Sequence, residues 1–391
     1  MLKSITIENF FSFGEAQKIE LNSGVNILIG INGSGKSNFI RALRLLSSMS
    51  YEGFSRLFLQ EWGGFHNVPF FGESTNKPIK ISYAFDFSSD DRFSSSKHNI
   101  FSYELIIFQN GVSNYYLSER FFQEKENINF LHIVNGKVEL NSRYQPNLDI
   151  IRGDESILKQ DNLLTRMDDI DAPFLKIKSF LEKTIVYDRF NTSEKSPMRR
   201  PSSTYIEDFL LPDGINLFSL LNEMNINQPL AFDAIENQIR EINPYFKNML
   251  SKPMGSKLFY YLKETALSKS VEFQFISDGT LQYLLLMSIF FNPKRGLLVT
   301  LDEPEVYLHP DMINSIGKGI KHATATGTQM IIATHSPLLL NSFEYEDLII
   351  FEKDDKNQTI TSEISDETIE KWASYPVGQM WISGQLGGIR W

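Results

Sequence analysis

The chain has 391 residues, 42% of them hydrophobic and 13% aromatic, which suffices for one large composite domain or for two to three sub-domains. Its formal net charge of −10 argues against general binding of polyanions, so any contact with nucleic acid must be a local patch. The lack of cysteine excludes disulfides, cysteine–zinc sites and thiol catalysis.

The first third of the chain predicts two groups of strands. The start, MLKSITIENF, alternates apolar and polar residues and lacks the apolar segment of a signal peptide. Strands continue to the apolar run VNILIG, which ends at Gly30, and a helix is expected from about Lys36 to Ser47. Between 79 and 140 apolar and polar residues alternate, and the turn sequences QNG and VNG separate the runs. That stretch predicts an antiparallel sheet.

The remainder predicts helices followed by a parallel sheet. From about 155 to 250 the pattern is mainly helical, most clearly at 172–185 and 228–242. After 255, strands alternate with helices in the segments GLLVTLDE, DMINSIGKGIKHA, QMIIATHS and DLIIFEK. We predict an α/β fold in which both terminal thirds supply one sheet, interrupted by an antiparallel β lobe and a helical insertion. The expected divisions are 1–150, 151–255 and 256–391. No apolar run approaches the roughly 18 residues of a membrane span, so we expect a cytoplasmic protein without membrane contact.

The octapeptide GINGSGKS, residues 30 to 37, matches the phosphate-binding pattern G-x-x-x-x-G-K-[ST] between an apolar strand and a helix. Its glycines allow backbone N–H groups to surround phosphates at a helix N-terminus. Lys36 is expected to reach the β- and γ-phosphates, and the Ser37 hydroxyl to hold Mg²⁺. The predicted ATP-binding residues are Gly30, Asn32, Gly33, Ser34, Gly35, Lys36, Ser37 and Asn38.

Two later strands end in polar residues of the kind that act on phosphates. GLLVTLDE ends in Asp302 and Glu303, and ligands bind at the carboxyl ends of strands in open α/β sheets. Asp302 is predicted to hold Mg²⁺ and Glu303 to act as the general base toward water. The next strand, QMIIATHS, places His335 where it would contact and sense the γ-phosphate.

The order of the motifs GINGSGKS, SDGT, LDEPE and THS resembles ABC-type ATPase heads, in the branch that includes RecF, SMC-like repair ATPases and OLD-type nucleases. More specifically, the chain is similar to a group of bacterial AAA_21-like ATPases. That similarity rests on the opening LKSITIENFFSFGEAQKIELNSGVNILIGINGSGKSN, the segments LPDGINLFSLL, SDGTLQYLLLM and LDEPEVYLHP, and the ending VGQMWISGQLGG. The resemblance implies a P-loop ABC-type ATPase head that uses ATP and Mg²⁺.

By this resemblance, ISDGT occupies the place of the ABC signature, which completes the nucleotide site of a second, facing copy. Ser277 offers a hydroxyl, Gly279 permits close backbone approach, and a helix N-terminus follows. The same residues are also typical of a plain helix cap. The commoner signature has glycine where this chain has Asp278, which brings a negative charge toward the triphosphate.

Several further residues allow two interpretations. Gln60 or a neighbour is either a metal-linked glutamine or a surface residue. Arg199 and Arg200 are either phosphate or nucleic-acid contacts or a solvated loop pair. The C-terminal tail with Trp381 and Trp391 docks either on its own core or on a partner. Asp354 and Asp355 are expected in a hairpin turn.

The resemblance implies ATP hydrolysis between two facing copies, in a homodimer or higher oligomer. This switch would control DNA or an effector in DNA repair or phage defence. Only about 55 residues follow the His335 strand, which is too few for the Toprim nuclease region of OLD-type proteins, so a separately encoded nuclease or toxin partner is expected. The alternative is a low-turnover, nucleotide-gated scaffold that holds such a partner inactive.

Overall fold

The computed structural model of the protein describes residues 1–49, 53–72, 77–88, 100–111, 114–123, 125, 128–138, 153–159, 173–203, 208–362, 364, 369 and 375–386. Its helices are α1 (Lys36–Ser48), α2 (Pro173–Leu181), α3 (Leu217–Asn227), α4 (Pro229–Ile242), α5 (Asp278–Phe290), α6 (Pro310–Ala325), α7 (Pro337–Leu340) and α8 (Val377–Ile382). Across these ranges, no helix combines the length and the apolar character needed to span a membrane.

A seven-stranded antiparallel sheet forms the β lobe, in the order β2-β1-β4-β5-β6-β7-β8. Its strands are β1 (Leu2–Glu8), β2 (Gln17–Glu20), β4 (Ile79–Asp86), β5 (Ile100–Asn110), β6 (Asn114–Gln123), β7 (Ile128–Val134) and β8 (Lys137–Val138). In β4 every second side chain is buried, which is the alternation of a sheet with one covered face. The predicted antiparallel sheet is confirmed. This sheet also includes β1 and β2, which were expected in the parallel sheet. Of the first three strands, only β3 joins the parallel sheet.

The second sheet has six strands in the order β17-β16-β3-β15-β14-β9. They are β3 (Val25–Gly30), β9 (Thr184–Tyr187), β14 (Leu298–Asp302), β15 (Gln329–Ala333), β16 (Leu348–Lys353) and β17 (Thr359–Ser362). All neighbours are parallel except β16 and β17. The carboxyl ends of β3, β14 and β15 therefore meet at one edge.

The central strand β3 is buried on both faces, as parallel sheets in α/β proteins are. Ile27 and Ile29 pack into a core that they share with α3 to α6. Leu28 points the other way, into a core that contains α1 and the antiparallel sheet. The β lobe and the parallel sheet thus share one hydrophobic core, and this fixes the α1 end of the P-loop against both.

The interpretation of the segment from about 155 to 250 as mainly helical is wrong at three strands, β9, β10 (Ser202–Ser203) and β11 (Phe246–Met254). Helix α2 ends at Leu181, and Thr184–Tyr187 forms β9, an edge strand paired with β14. All four residues of β9 are buried, because the strand continues the covered sheet. Near the end of the segment, β11 pairs antiparallel with β12 (Lys257–Glu264), so the expected division at 255 falls in a hairpin turn. β10 and β13 (Val271–Glu272) also pair with β12.

Candidate nucleotide site

The P-loop joins β3 to α1 through a backbone that glycine permits. Gly33 and Gly35 have φ angles of 79° and 115°, in the left-handed region that side chains disfavour. At Gly35 a Cβ would also lie 2.1 Å from the Thr359 hydroxyl oxygen. The loop therefore keeps the open turn that phosphate binding by backbone N–H groups requires.

Lys36 lies across this loop at the start of α1. Its Nζ donates to the carbonyl oxygens of Gly30 at 2.7 Å and of Ile31 at 3.1 Å. Burial lowers the pKa of Lys36 to about 8, while Asp302 and Glu303 act in the opposite direction. An ammonium group has three donors, so one remains available to an anion in the loop.

Ser37 and Asp302 meet at the ends of α1 and β14. The Ser37 hydroxyl donates to the Asp302 carboxylate at 3.2 Å. Burial first, and then the charge of Glu303, raises the pKa of Asp302. A hydroxyl and a partly buried carboxylate are oxygen ligands of the kind that Mg²⁺ prefers, so these two residues fit the metal expected with ATP. A cation there would offset the buried negative charge.

One cleft of about 190 Å³ brings together most of the residues that are predicted to bind or act on ATP within one copy of the chain. It is lined by Asn32, Gly33, Gly35, Lys36, Ser37, Asn38, Asp302, Glu303 and His335. Gly30 and Ser34 lie in the loop beneath it, where Ser34 is fully buried. The topology explains this convergence, because β3, β14 and β15 are parallel neighbours that end at the same edge.

Glu303 stands at the point where β14 turns away from the sheet. Its φ angle is 50°, and its N–H donates to the carbonyl oxygen of Ala333 at 2.8 Å, which fixes it to β15. His335 Nε2 lies 3.6 Å from one carboxylate oxygen of Glu303. The pKa of His335 is lowered, first by burial and then by Lys36. A neutral imidazole is therefore favoured beside the carboxylate.

Arg189 is a residue of this site that sequence reasoning missed. It follows β9 and forms an ion pair with the other carboxylate oxygen of Glu303. The side chain of Arg189 is 63% exposed and that of Glu303 is 20% exposed. The apolar run TIVY, which precedes Arg189, indicates a buried strand. Had that strand been placed beside β14, the polar residues that follow it could have been assigned to the edge of the sheet where the cleft lies.

Glu305 is the second residue that was missed, although it lies in the LDEPE motif. It is half-buried, and one of its oxygens accepts hydrogen bonds from the Thr334 hydroxyl and from the N–H groups of His335 and Ser336, the latter two at 3.1 Å. Its other oxygen has no hydrogen-bond partner within the described ranges. Glu305 therefore holds the backbone that carries His335.

We expect Glu305→Ala to destabilise the protein by about 1–3 kcal/mol, because it removes the acceptor of the Thr334 hydroxyl and of the His335 N–H. Thermal unfolding measures this change. Glu305→Gln is the matched control, since its amide oxygen can still accept at the same place, and it should unfold near the wild-type temperature. Equal unfolding temperatures for Glu305→Ala and wild type would show that these hydrogen bonds do not hold the loop.

The signature candidates lie apart from this cleft. Ser277 caps α5, and its hydroxyl accepts from the N–H of Thr280 at 3.2 Å. Gly279 packs on the loop after β14, where a Cβ would lie 2.7 Å from the carbonyl oxygen of Tyr307. Both therefore have a structural reason within their own chain. Ser277 is nevertheless exposed, and neither residue lines the P-loop cleft.

Among the remaining candidates, Arg199 requires a correction. It is 4% exposed, and its guanidinium is hydrogen-bonded to other residues of the same chain. Arg199 is therefore neither a solvated loop residue nor free to contact a phosphate. Arg200 is exposed. Gln60 is exposed in the π-helical turn Arg56–Glu61 and does not line the cleft.

The candidates near the C-terminus lie in different surroundings. Trp381 packs in the core of its own chain, whereas Trp391 lies outside the described residues. Asp354 and Asp355 lie between β16 and β17, at the expected hairpin turn.

Solved structures with this architecture include heads of SMC proteins. The head in the structure described as the SmcHead bound to the C-winged helix domain of ScpA matches with a TM-score of 0.56 and 15% identity. The match covers 94% of this chain and 98% of that one. An Smc head domain with an extended coiled coil, bound to the C-terminal domain of ScpA derived from Pyrococcus furiosus, matches with a TM-score of 0.55 and 14% identity, over 95% and 98% of the two chains. The predicted ABC-type ATPase head fold is confirmed.

Curated relatives include two nucleases. Endonuclease GajA of Bacillus cereus (strain VD045) is 24% identical over 363 residues, which are 88% of this chain and 57% of that protein. Old nuclease of Escherichia phage P2 is 38% identical over 78 residues, which are 20% of this chain and 13% of that protein. The chain thus spans little more than half of the first relative and a small part of the second.

A family model described as "AAA domain, putative AbiEii toxin, Type IV TA system" matches residues 25–341. That range begins at β3 and runs through the P-loop, the SDGT segment, Asp302, Glu303 and His335 to Asn341, the residue after α7. Because the match covers most of the chain and includes every strand end of the cleft, the protein belongs to the AAA_21 family of ATPases.

Proposed function

We propose that the protein hydrolyses Mg-ATP at a site shared by two facing copies, and that closing and opening of this pair controls DNA or an effector protein. The observation that carries the proposal is the separation of two groups of residues. Lys36, Ser37, Asp302 and Glu303 line one cleft, whereas Ser277 lies outside it, exposed at a helix N-terminus. A helix N-terminus favours an anion, and one on a second copy would face the open side of the triphosphate.

Within one copy the contacts support the following assignment of roles. The P-loop N–H groups and Lys36 bind the phosphates, and Ser37 with Asp302 would hold Mg²⁺, which supplies charge neutralisation when bound. Glu303 accepts the proton of the attacking water. His335, fixed through Glu305, contacts the γ-phosphate and distinguishes ATP from ADP.

The control of DNA or of an effector is proposed from the relatives. GajA and Old are named as nucleases, and the matched SMC heads are solved with a ScpA domain. DNA repair or phage defence, with a nuclease or toxin as the controlled partner, is the setting that these names suggest. The acidic balance of the chain favours a protein effector over broad DNA contact.

The test is to measure ATP turnover and solution mass with and without ATP, Mg²⁺ and double-stranded DNA. ATP-dependent doubling of the mass together with turnover supports the shared site. Stimulation by DNA favours control of DNA, and unchanged turnover favours a protein effector. A protein that neither turns over ATP nor changes mass would contradict the proposal.

A second candidate, the low-turnover scaffold, is favoured by the ion pair between Arg189 and Glu303. The guanidinium occupies one oxygen of the carboxylate that would accept the proton of the attacking water, so Arg189 would restrain hydrolysis until the pair opens.

We therefore expect Arg189→Ala to raise basal ATP turnover by about two- to fivefold, the range for an ion pair with one exposed partner. Steady-state phosphate release measures the change. Arg189→Lys keeps the positive charge and should stay closer to wild type. A fall in turnover with Arg189→Ala would instead mean that Arg189 assists hydrolysis.

A further inference from the structure

Arg199 donates hydrogen bonds from all three nitrogens of its guanidinium. Neither its place in a loop nor the P-loop motif accounts for this set of contacts. Arg199 lies in the short 3₁₀ turn Pro197–Arg199, with its side chain 3% exposed. The guanidinium donates to the carbonyl oxygens of Thr192, Ser193, Gln274 and Ile276 and to the carboxylate of Asp278. It therefore joins the loop after β9 to the segment that leads into α5.

The shortest of these contacts bracket the signature residue Ser277. Arg199 donates to Ile276 O at 2.6 Å and to Asp278 Oδ1 at 2.5 Å, the residues on either side. A guanidinium is a rigid, planar fork, so it fixes both acceptors relative to one another. The turn that presents Ser277 is set by a side chain from another part of the chain.

The contact with Asp278 also changes the charge of the turn. The Asp278 side chain is 49% exposed and stands directly beside Ser277, so without a partner it would repel an approaching triphosphate. Arg199 supplies a matching positive charge from the buried side, where solvent screens it less than it would at the surface. The turn thereby presents a neutral pair together with the helix N-terminus.

This turn borders an open face of the molecule. A cleft of about 560 Å³ beside it is lined by Arg200, Phe275 and Ser277 among others, and Phe275 is 74% exposed. A second body can therefore reach Ser277 and Asp278 from solvent.

We infer that Arg199 is a positioning residue for the shared site: it neutralises Asp278 and holds the Ser277 turn so that the turn can approach ATP bound to a second copy. The inference rests on the proposed function. It explains how this chain carries aspartate at a position where a negative charge would oppose nucleotide binding. It also assigns the loop between β9 and β10 a part in completing the partner's site.

The test is a double-mutant cycle on ATP turnover with wild type, Arg199→Gln, Asp278→Asn and the double variant. Arg199→Gln should lower turnover by about tenfold and raise the KM for ATP, because an unpaired carboxylate now faces the triphosphate. Asp278→Asn alone should cost less. The double variant should recover most of the loss, since it has no unpaired charge.

A purely structural role gives a different pattern. If Arg199 only ties carbonyl groups together, the double variant is no better than Arg199→Gln, and this outcome overturns the inference. Unchanged turnover in Arg199→Gln overturns it as well. A wild type that neither hydrolyses ATP nor pairs overturns the proposed function and the inference with it, so the two failures are distinguishable.

Loss of folding is addressed by a second substitution, checked by thermal unfolding. Arg199→Lys keeps the charge without the fork and should retain about half or more of wild-type turnover. If Arg199→Gln does not fold, Arg199→Lys carries the test. A folded Arg199→Lys variant whose turnover falls as far as that of Ser277→Asp, which places a negative charge in the turn itself, would overturn the charge argument.

Discussion

Glu303→Gln should retain ATP binding but lose about 10²–10⁴-fold in turnover, the usual contribution of a general base. The substitution keeps the shape of the side chain and removes its ability to take a proton. The residues that bind phosphate and metal, Lys36, Ser37 and Asp302, are unchanged. Because ATP is bound and not consumed, paired protein should accumulate, and its mass should correspond to two chains by light scattering in ATP and Mg²⁺.

Two controls separate this effect from simple loss of charge. Glu20→Gln removes one negative charge from the edge strand β2, where the side chain is 59% exposed, and should leave turnover near wild type. Arg189→Ala breaks the same ion pair from the other side. If it is also as slow as Glu303→Gln, the loss comes from the broken pair and not from the missing base. A Glu303→Gln protein that remains monomeric at saturating ATP would contradict the pairing model.

The parts of the site that sequence patterns predicted are those encoded locally. A P-loop between a strand and a helix, and a strand that ends in Asp302 and Glu303, each need only a few consecutive residues to be recognised. The parallel βαβ order then requires these ends to meet at one edge, as they do. The roles assigned to these residues in ATP hydrolysis remain predictions.

The parts that sequence patterns did not predict depend on distant contacts. β9 is four residues long and buried on both faces, so it has neither the alternation of a surface strand nor the length of a helix. Missing β9 meant missing Arg189, whose partner Glu303 is 114 positions away. The burial of Arg199 likewise depends on acceptors more than 70 positions later in the chain. No short window contains both members of such a pair.

The strongest test of a shared site is that two defective variants should restore each other. Lys36→Ala removes the phosphate contact in its own cleft, and Ser277→Asp places a negative charge where a second copy's triphosphate would lie. An equal mixture should reach about a quarter of wild-type turnover when the sites act independently: half of the random pairs are mixed, and each mixed pair has one intact site. The intact site combines Lys36 of one copy with Ser277 of the other.

The choice of position and of substitution follows from the structure. Ser277 is exposed, whereas a side chain at Gly279 would collide with Tyr307 of the same chain and disturb its fold. Aspartate and asparagine both cap helices well, so Ser277→Asn is the matched control and should keep most of the turnover. If each copy hydrolyses ATP alone, the mixture will give only the average of the two separate rates. Recovery above that average, seen with Ser277→Asp and dependent on ATP-induced pairing, requires that Ser277 act on the nucleotide of another copy.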